Sequence, residues 1–134
     1  MIELEHINFG YKEKQLVLYD INISVQKGEC ILLCGESGCG KTTVTKLING
    51  LIPHFTDGCF LEGKAEAAGM RIADTELYEL AKQIGSVFQN PKSQFFNLDT
   101  DSELAFGLEN EGVDPGKIKR RMNITVDVYK RQEY

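Results

Sequence analysis

The chain has 134 residues, a formal net charge of -5, and 42% hydrophobic and 26% charged residues. That length suits one ordinary domain and leaves little room for a second. The composition excludes a disordered chain, a collagen-like repeat and a disulfide scaffold. Charge is unevenly placed: through Pro115 there are nine Lys and Arg against eighteen Asp and Glu, whereas residues 116–134 carry six against two. An acidic body without a basic stripe argues against nucleic acid as a partner, because that binding rests on clustered cations neutralising phosphates.

The start, Met1-Ile2-Glu3-Leu4-Glu5, has neither the basic region nor the apolar run of a signal peptide. No stretch approaches the ~18 apolar residues of a membrane span, so the expected location is the cytosol unless a partner holds the chain at a membrane. Cys30, Cys34, Cys39 and Cys59 form no C-x-x-C pair and have no His at ligand spacing. Reduced thiols are expected, with Cys30 and Cys34 as small hydrophobes in a buried strand.

Apolar residues alternate through Ile2 and Leu4 and then, after a shift, Ile7 and Phe9, predicting a half-buried strand that ends at Gly10-Tyr11. A second alternation at Ile21, Ile23 and Val25 runs into the turn Lys27-Gly28-Glu29. Residues 30–34 are continuously apolar and bounded by turn signals, which predicts a strand buried on both faces. A helix follows from Lys41, with Val44, Leu47 and Ile48 on one face, Gly50 as its stop and Pro53 against continuation. Gly58, Gly63 and Gly69 punctuate what reads as two short strands in residues 59–72. Asp74 is expected to cap a short helix carrying Leu77, Leu80 and Ala81, and residues 84–88 read as another buried strand. Thr100 and Glu103 stand at capping-box spacing before a helix running to Gly112. Asp114-Pro115 then opens a last helix, with Asp as cap and Pro at the first helical position.

One loop carries chemistry. Gly35-Glu36-Ser37-Gly38-Cys39-Gly40-Lys41-Thr42 matches G-x-x-x-x-G-K-[ST] at every fixed position. Glycines let successive N–H groups turn into one concavity, and the helix beginning at Lys41 adds its positive dipole end, so the expected ligand is a polyphosphate. Lys41 would reach the β- and γ-phosphates, and the Thr42 hydroxyl would ligate the Mg2+ bridging them. Chance would produce the four fixed positions in roughly one chain in 200 of this size, and a predicted strand before the loop and helix after it strengthen the reading.

The surroundings of the loop resemble the ATP-binding subunit of ABC transporters, and the resemblance extends to about residue 113. Asn8-Phe9-Gly10-Tyr11 is similar to that family's aromatic A-loop, in which Tyr11 would stack on adenine. Residues 18–29 resemble the strand and turn entering its P-loop, and Val87-Phe88-Gln89-Asn90-Pro91 resembles its Q-loop. The resemblance implies an α/β fold of the P-loop NTPase ABC type: a β-rich N-terminal subdomain, part of a RecA-like core and the start of a helical subdomain. It implies ATP and Mg2+ as cofactors, with Gly35, Glu36, Ser37, Gly38, Cys39, Gly40, Lys41, Thr42 and Thr43 around the phosphates. Gln89, whose amide oxygen can ligate Mg2+ and release it without a change of charge, would couple the site to a membrane partner.

Asn49-Gly50-Leu51-Ile52-Pro53-His54-Phe55, the run from Gln89 to Phe96, and Glu103 to Asn110 are similar to energy-coupling-factor importers of vitamins and transition metals. Phe95 and Phe96 would then dock a coupling helix, while His54 reads as a loop residue because no second ligand lies nearby. The implied partners are a transmembrane permease component, a second ATPase domain as homo- or heterodimer, and a separate substrate-binding membrane component, at the cytoplasmic face of the membrane. The signature Leu-Ser-Gly-Gly-Gln segment, the acidic Walker B strand and the switch His of this family do not occur in the sequence. The resemblance therefore implies the N-terminal part of a larger ATPase domain, binding nucleotide without turnover.

Asp127-Val128-Tyr129-Lys130-Arg131-Gln132 can be encoded by GATGTGTATAAGAGACAG, a transposase end sequence used in DNA library preparation. Residues 126–134 are accordingly expected to be a non-native, adaptor-encoded tail, and residues 1–125 the ATPase part. Rival readings are a non-transport ABC ATPase and another P-loop NTPase such as a small-molecule kinase. A GTPase would want an Asn-Lys-x-Asp segment, which is not present.

Overall fold

A computed structural model describes residues 1–130, apart from the side chains of residues 91, 93 and 128–130. It divides into two compact units, Met1–Ser86 and a second beginning at Val87.

The first unit is built on a four-stranded antiparallel sheet in the order β2-β1-β3-β4. Its strands are β1 (Ile2–Lys12), β2 (Gln15–Val25), β3 (Phe60–Ala67) and β4 (Met70–Arg71). The shift in apolar alternation between Leu4 and Ile7 has a direct cause: the β1 register slips there against both neighbours, so an extra residue restores the inward face. His6 and, on β2, Asp20 take up the irregularity with φ of 51° and 44°. Side chains satisfy the displaced backbone: the His6 N–H donates to Asn22 Oδ1 at 2.8 Å and the Asp20 N–H to Asn8 Oδ1 at 2.9 Å. His6 Nδ1 closes the knot on Asp20 Oδ1 at 2.7 Å.

The inward face, Leu4, Ile7, Phe9 and Leu18, packs on Val44 and Leu47 of α1 (Lys41–Ile48) and on Ile52. Each fully buried side chain of this kind contributes roughly 1.5–3 kcal/mol. Gly50, at φ 79°, ends α1 as its sequence predicts, and α2 (Leu51–His54) follows with non-helical angles at Ile52, ahead of Pro53. His54, read as a loop residue, ends α2 and places Nε2 3.0 Å from the Ile72 carbonyl. Ala67, Ile72 and Leu80 form a second cluster beneath β3, with Leu80 on α3 (Leu77–Ala81).

Several expectations are corrected. Residues 30–34 and 84–88 form no strand, and most of their side chains are exposed, Leu32 at 83% and Val87 at 89%. A strand apolar on both faces needs neighbours on both sides, and no described residue supplies a ladder to either segment. Cys30 and Cys34 are consequently exposed rather than buried. Of the expected RecA-like core, the described residues contribute the glycine-rich loop and α1 but no parallel strand pair. Asp74 does not cap α3: it closes a 3-10 turn and pairs with Arg71 at 3.2 Å, while Glu76 occupies the cap position.

In the second unit, α4 (Thr100–Asn110) is capped by Asp99 rather than Thr100, the Asp99 carboxylate accepting from the Ser102 N–H at 2.8 Å. Glu103 does not reach back to a cap residue. It accepts from the backbone N–H groups of Phe96 (3.1 Å) and Asn97 (2.9 Å), strapping that segment to the helix. Nested bonds from Gly112 N to the Glu109 carbonyl and from Val113 N to the Leu108 carbonyl end α4. α5 (Pro115–Lys130) begins as expected, with Asp114 accepting from the Gly116 and Lys117 amides at 3.0 and 3.3 Å. The segment expected as an adaptor-encoded tail, 126–134, continues α5 to residue 130, and its remainder lies outside the described residues. No helix among the described residues is long and apolar enough to cross a membrane.

Candidate functional site

Residues 35–40 follow the segment 30–34, which has no regular structure, and enter α1 through Gly40. Gly35, Gly38 and Gly40 have φ of 152°, 84° and 95°, the backbone conformations that turn N–H groups toward one side of a loop. Gly40 also lies close to the sheet: a Cβ there would sit 2.7 Å from Leu18 Cδ2 and push that side chain aside, in addition to the strain of a positive φ. The Val44 amide donates to the Gly40 carbonyl at 3.0 Å, starting the α-helical ladder. The first-turn amides of α1 precede that ladder, and no side chain caps them.

Lys41 folds back over this loop. Its Nζ donates to the carbonyls of Gly35 (2.9 Å) and Glu36 (2.7 Å) and lies 3.4 Å from Cys39 Sγ. The ammonium's donors are thereby engaged by acceptors of the loop itself. Glu36, Ser37 and Cys39 are exposed, as is Thr42, whose backbone carbonyl accepts from the Thr45 hydroxyl at 2.9 Å.

Thr43, one residue further along α1, is 5% exposed. Its Oγ1 lies 3.3 Å from the phenol oxygen of Tyr11 at the end of β1. Tyr11 in turn packs edge-on against buried Phe9, ring centroids 4.9 Å apart, and remains 43% exposed. The fold therefore brings Tyr11, Lys41, Thr42 and Thr43 together at one end of the sheet, across 32 residues of sequence separation between Tyr11 and Thr43. Neither Phe9 as a support for Tyr11 nor Thr43 as its hydrogen-bond partner was legible locally, because both contacts depend on how α1 lands on the sheet.

Gln89 belongs to the second unit, exposed and just ahead of the 3-10 turn Pro91–Gln94. Nearby, the Phe88 amide donates to Gln94 Oε1 at 3.2 Å. Phe95 and Phe96 are exposed, and Phe96 stacks on Phe106 of α4 with centroids 5.4 Å apart. Asp99 and Glu103 have carboxyls held below their ordinary values, Asp99 by the Ser102 amide and hydroxyl, Glu103 by the Asn97 and Phe96 amides. No cluster of three or more His, Cys, Asp or Glu that could hold a metal ion occurs among the described residues.

A family model described as ABC transporter matches residues 18–132. A Treponema denticola protein provisionally named an ABC transporter ATP-binding protein is 51% identical over 130 residues, covering 96% of this chain and 26% of that protein. Proteins of Pyrococcus abyssi and Pyrococcus horikoshii with names of the same kind are 40% and 37% identical, over 97% and 100% of this chain and 46% and 49% of their own lengths. The chain thus spans between about a quarter and a half of the length of these relatives.

Proposed function

The chain belongs to the ABC transporter ATP-binding family, and on that premise we propose that residues 35–43 hold the phosphates of Mg-ATP while Tyr11 receives the adenine. The observation that carries this reading is the Lys41 ammonium lodged within the glycine-turned loop at the start of α1. In the free chain that ammonium is satisfied by two loop carbonyls, and an arriving phosphate offers it charged acceptors instead. The loop's donors suit phosphate oxygens, and the Thr42 hydroxyl is the ligand within the loop suited to Mg2+. Mg2+, when bound, would neutralise charge between adjacent phosphates. Gln89, in the second unit, carries an amide oxygen of the kind that can ligate Mg2+, and by the resemblance its loop would link nucleotide state to a docked membrane component.

For the longer protein, the proposed activity is ATP hydrolysis driving import of a vitamin or transition metal. The supporting resemblance lies in residues 49–55, 89–96 and 103–110. A permease component at the cytoplasmic membrane face, a second ATPase domain and a separate substrate-binding component complete that reading. Exposed Phe95 and Phe96 support a docking role, since large apolar side chains left in water favour a protein surface.

Titration calorimetry of the full chain with Mg-ATP tests the proposal. Saturable binding is expected without multiple turnover, and Lys41→Ala should weaken it roughly 100-fold by removing charge-assisted bonds to phosphate. A folded wild-type chain that binds no nucleotide would overturn the binding reading, and sustained phosphate release would overturn the absence of turnover.

A further inference from the structure

We infer that the Thr43 hydroxyl is a positioning group: through its contact with the Tyr11 phenol it sets the aromatic platform for the base at a fixed place relative to the phosphate loop. The inference rests on the nucleotide reading above and adds a residue role to it.

Three constraints converge on Tyr11 in the absence of nucleotide. The backbone before it lies close against β2: Gly10 pairs with Leu16 in register, and the Gln15 carbonyl leaves no room for a Cβ at that position. One edge of the ring is set by Phe9, which is wholly buried and meets it at an interplanar angle of 82°. The phenol oxygen then lies 3.3 Å from Thr43 Oγ1, and either hydroxyl can donate. A buried hydroxyl in a helix requires a partner, and Tyr11 provides the side-chain partner for Thr43.

Helix α1 carries Thr43 on the same turn as Lys41 and Thr42, so the contact joins the base platform to the phosphate cradle through three consecutive residues. Tyr11 keeps enough open surface to receive a planar ligand while its remaining torsional freedom is restricted. A ring ordered before binding does not lose that freedom when the base arrives, and the gain appears as affinity that depends on the base and not on the phosphates.

The test compares Mg-ATP with Mg-tripolyphosphate, which lacks a base, by calorimetry on the full chain. The ratio of the dissociation constant for tripolyphosphate to that for ATP isolates the contribution of the base. Tyr11→Phe keeps the ring and loses the phenol, and Thr43→Val keeps the volume and loses the hydroxyl. Each should lower the ratio about fivefold, the double variant should lower it no further, and Thr43→Ser should restore it.

A Thr43 hydroxyl that served the phosphates alone would move both ligands equally and leave the ratio unchanged. An unchanged ratio in both single variants, or additive losses in the double variant, overturns this inference while nucleotide binding stands. A wild-type chain that binds neither ligand overturns the nucleotide reading and this inference with it.

Discussion

The antiparallel sheet and the apolar segments 30–34 and 84–88 are written in similar residues and meet opposite fates. β1 finds β2 across a two-residue connection, Glu13-Lys14, and finds β3 on its other side, so both of its edges are paired. The two segments are at least as apolar, yet Leu32 and Val87 stand in water. Apolar content alone does not make a strand: the ladder partner does, and a hairpin supplies one locally whereas a strand buried on both faces depends on distant chain. The glycine-rich loop lies between these regimes. Its helical end is fixed to the sheet by Val44 and Leu47, while its other end leaves a segment of which Leu33 packs on the core.

The largest expected effect that distinguishes the two regions is hydrogen exchange. Amides inside the β1–β3 ladder should exchange roughly a thousandfold or more slowly than those of Ile31, Leu32 and Val87. Comparable protection in the two sets would mean that the segments pair after all. Next comes packing: Leu47→Ala, at the centre of the sheet-helix core, should cost about 2–5 kcal/mol in denaturant unfolding. Leu32→Ser, by contrast, should stay within about 0.5 kcal/mol of the parent, and a large loss there would break the contrast.

The smallest effect is on pH. The Asp99 and Glu103 carboxyls are lowered in the folded chain, so their stabilising contribution is complete above their ordinary values of 3.8 and 4.5 and is lost as pH falls through the folded values. The start of α4 should therefore fray in acid, seen as chemical-shift changes at Ser102 and Asn97. Asp99→Asn with Glu103→Gln should flatten that response, since both replacements still accept hydrogen bonds but do not titrate. An identical acid response in the double variant would place its cause elsewhere.

Much of the site was legible because its rules are local. The spacing of Gly35, Gly40, Lys41 and Thr42 announces a loop followed by a helix, and Asp114-Pro115 announces a helix start, since each acts over a few residues. The displaced alternation at Leu4 and Ile7 even located the bulge. Cap assignments were less secure: Thr100 had the textual spacing, but Asp99, one residue earlier, has the extended backbone that aims a carboxylate at the Ser102 amide.

The sequence by itself determined the glycine-rich loop, the helix that follows it, the apolar faces of β1 and α1, and the family to which the chain belongs. Tertiary structure alone decided which apolar runs become strands and that Phe9 and Thr43 meet Tyr11. The physical reason is range. Backbone turns, caps and periodicity are set by neighbours in sequence, whereas ladder pairing and a hydrogen bond across 32 residues exist only once separate elements have packed.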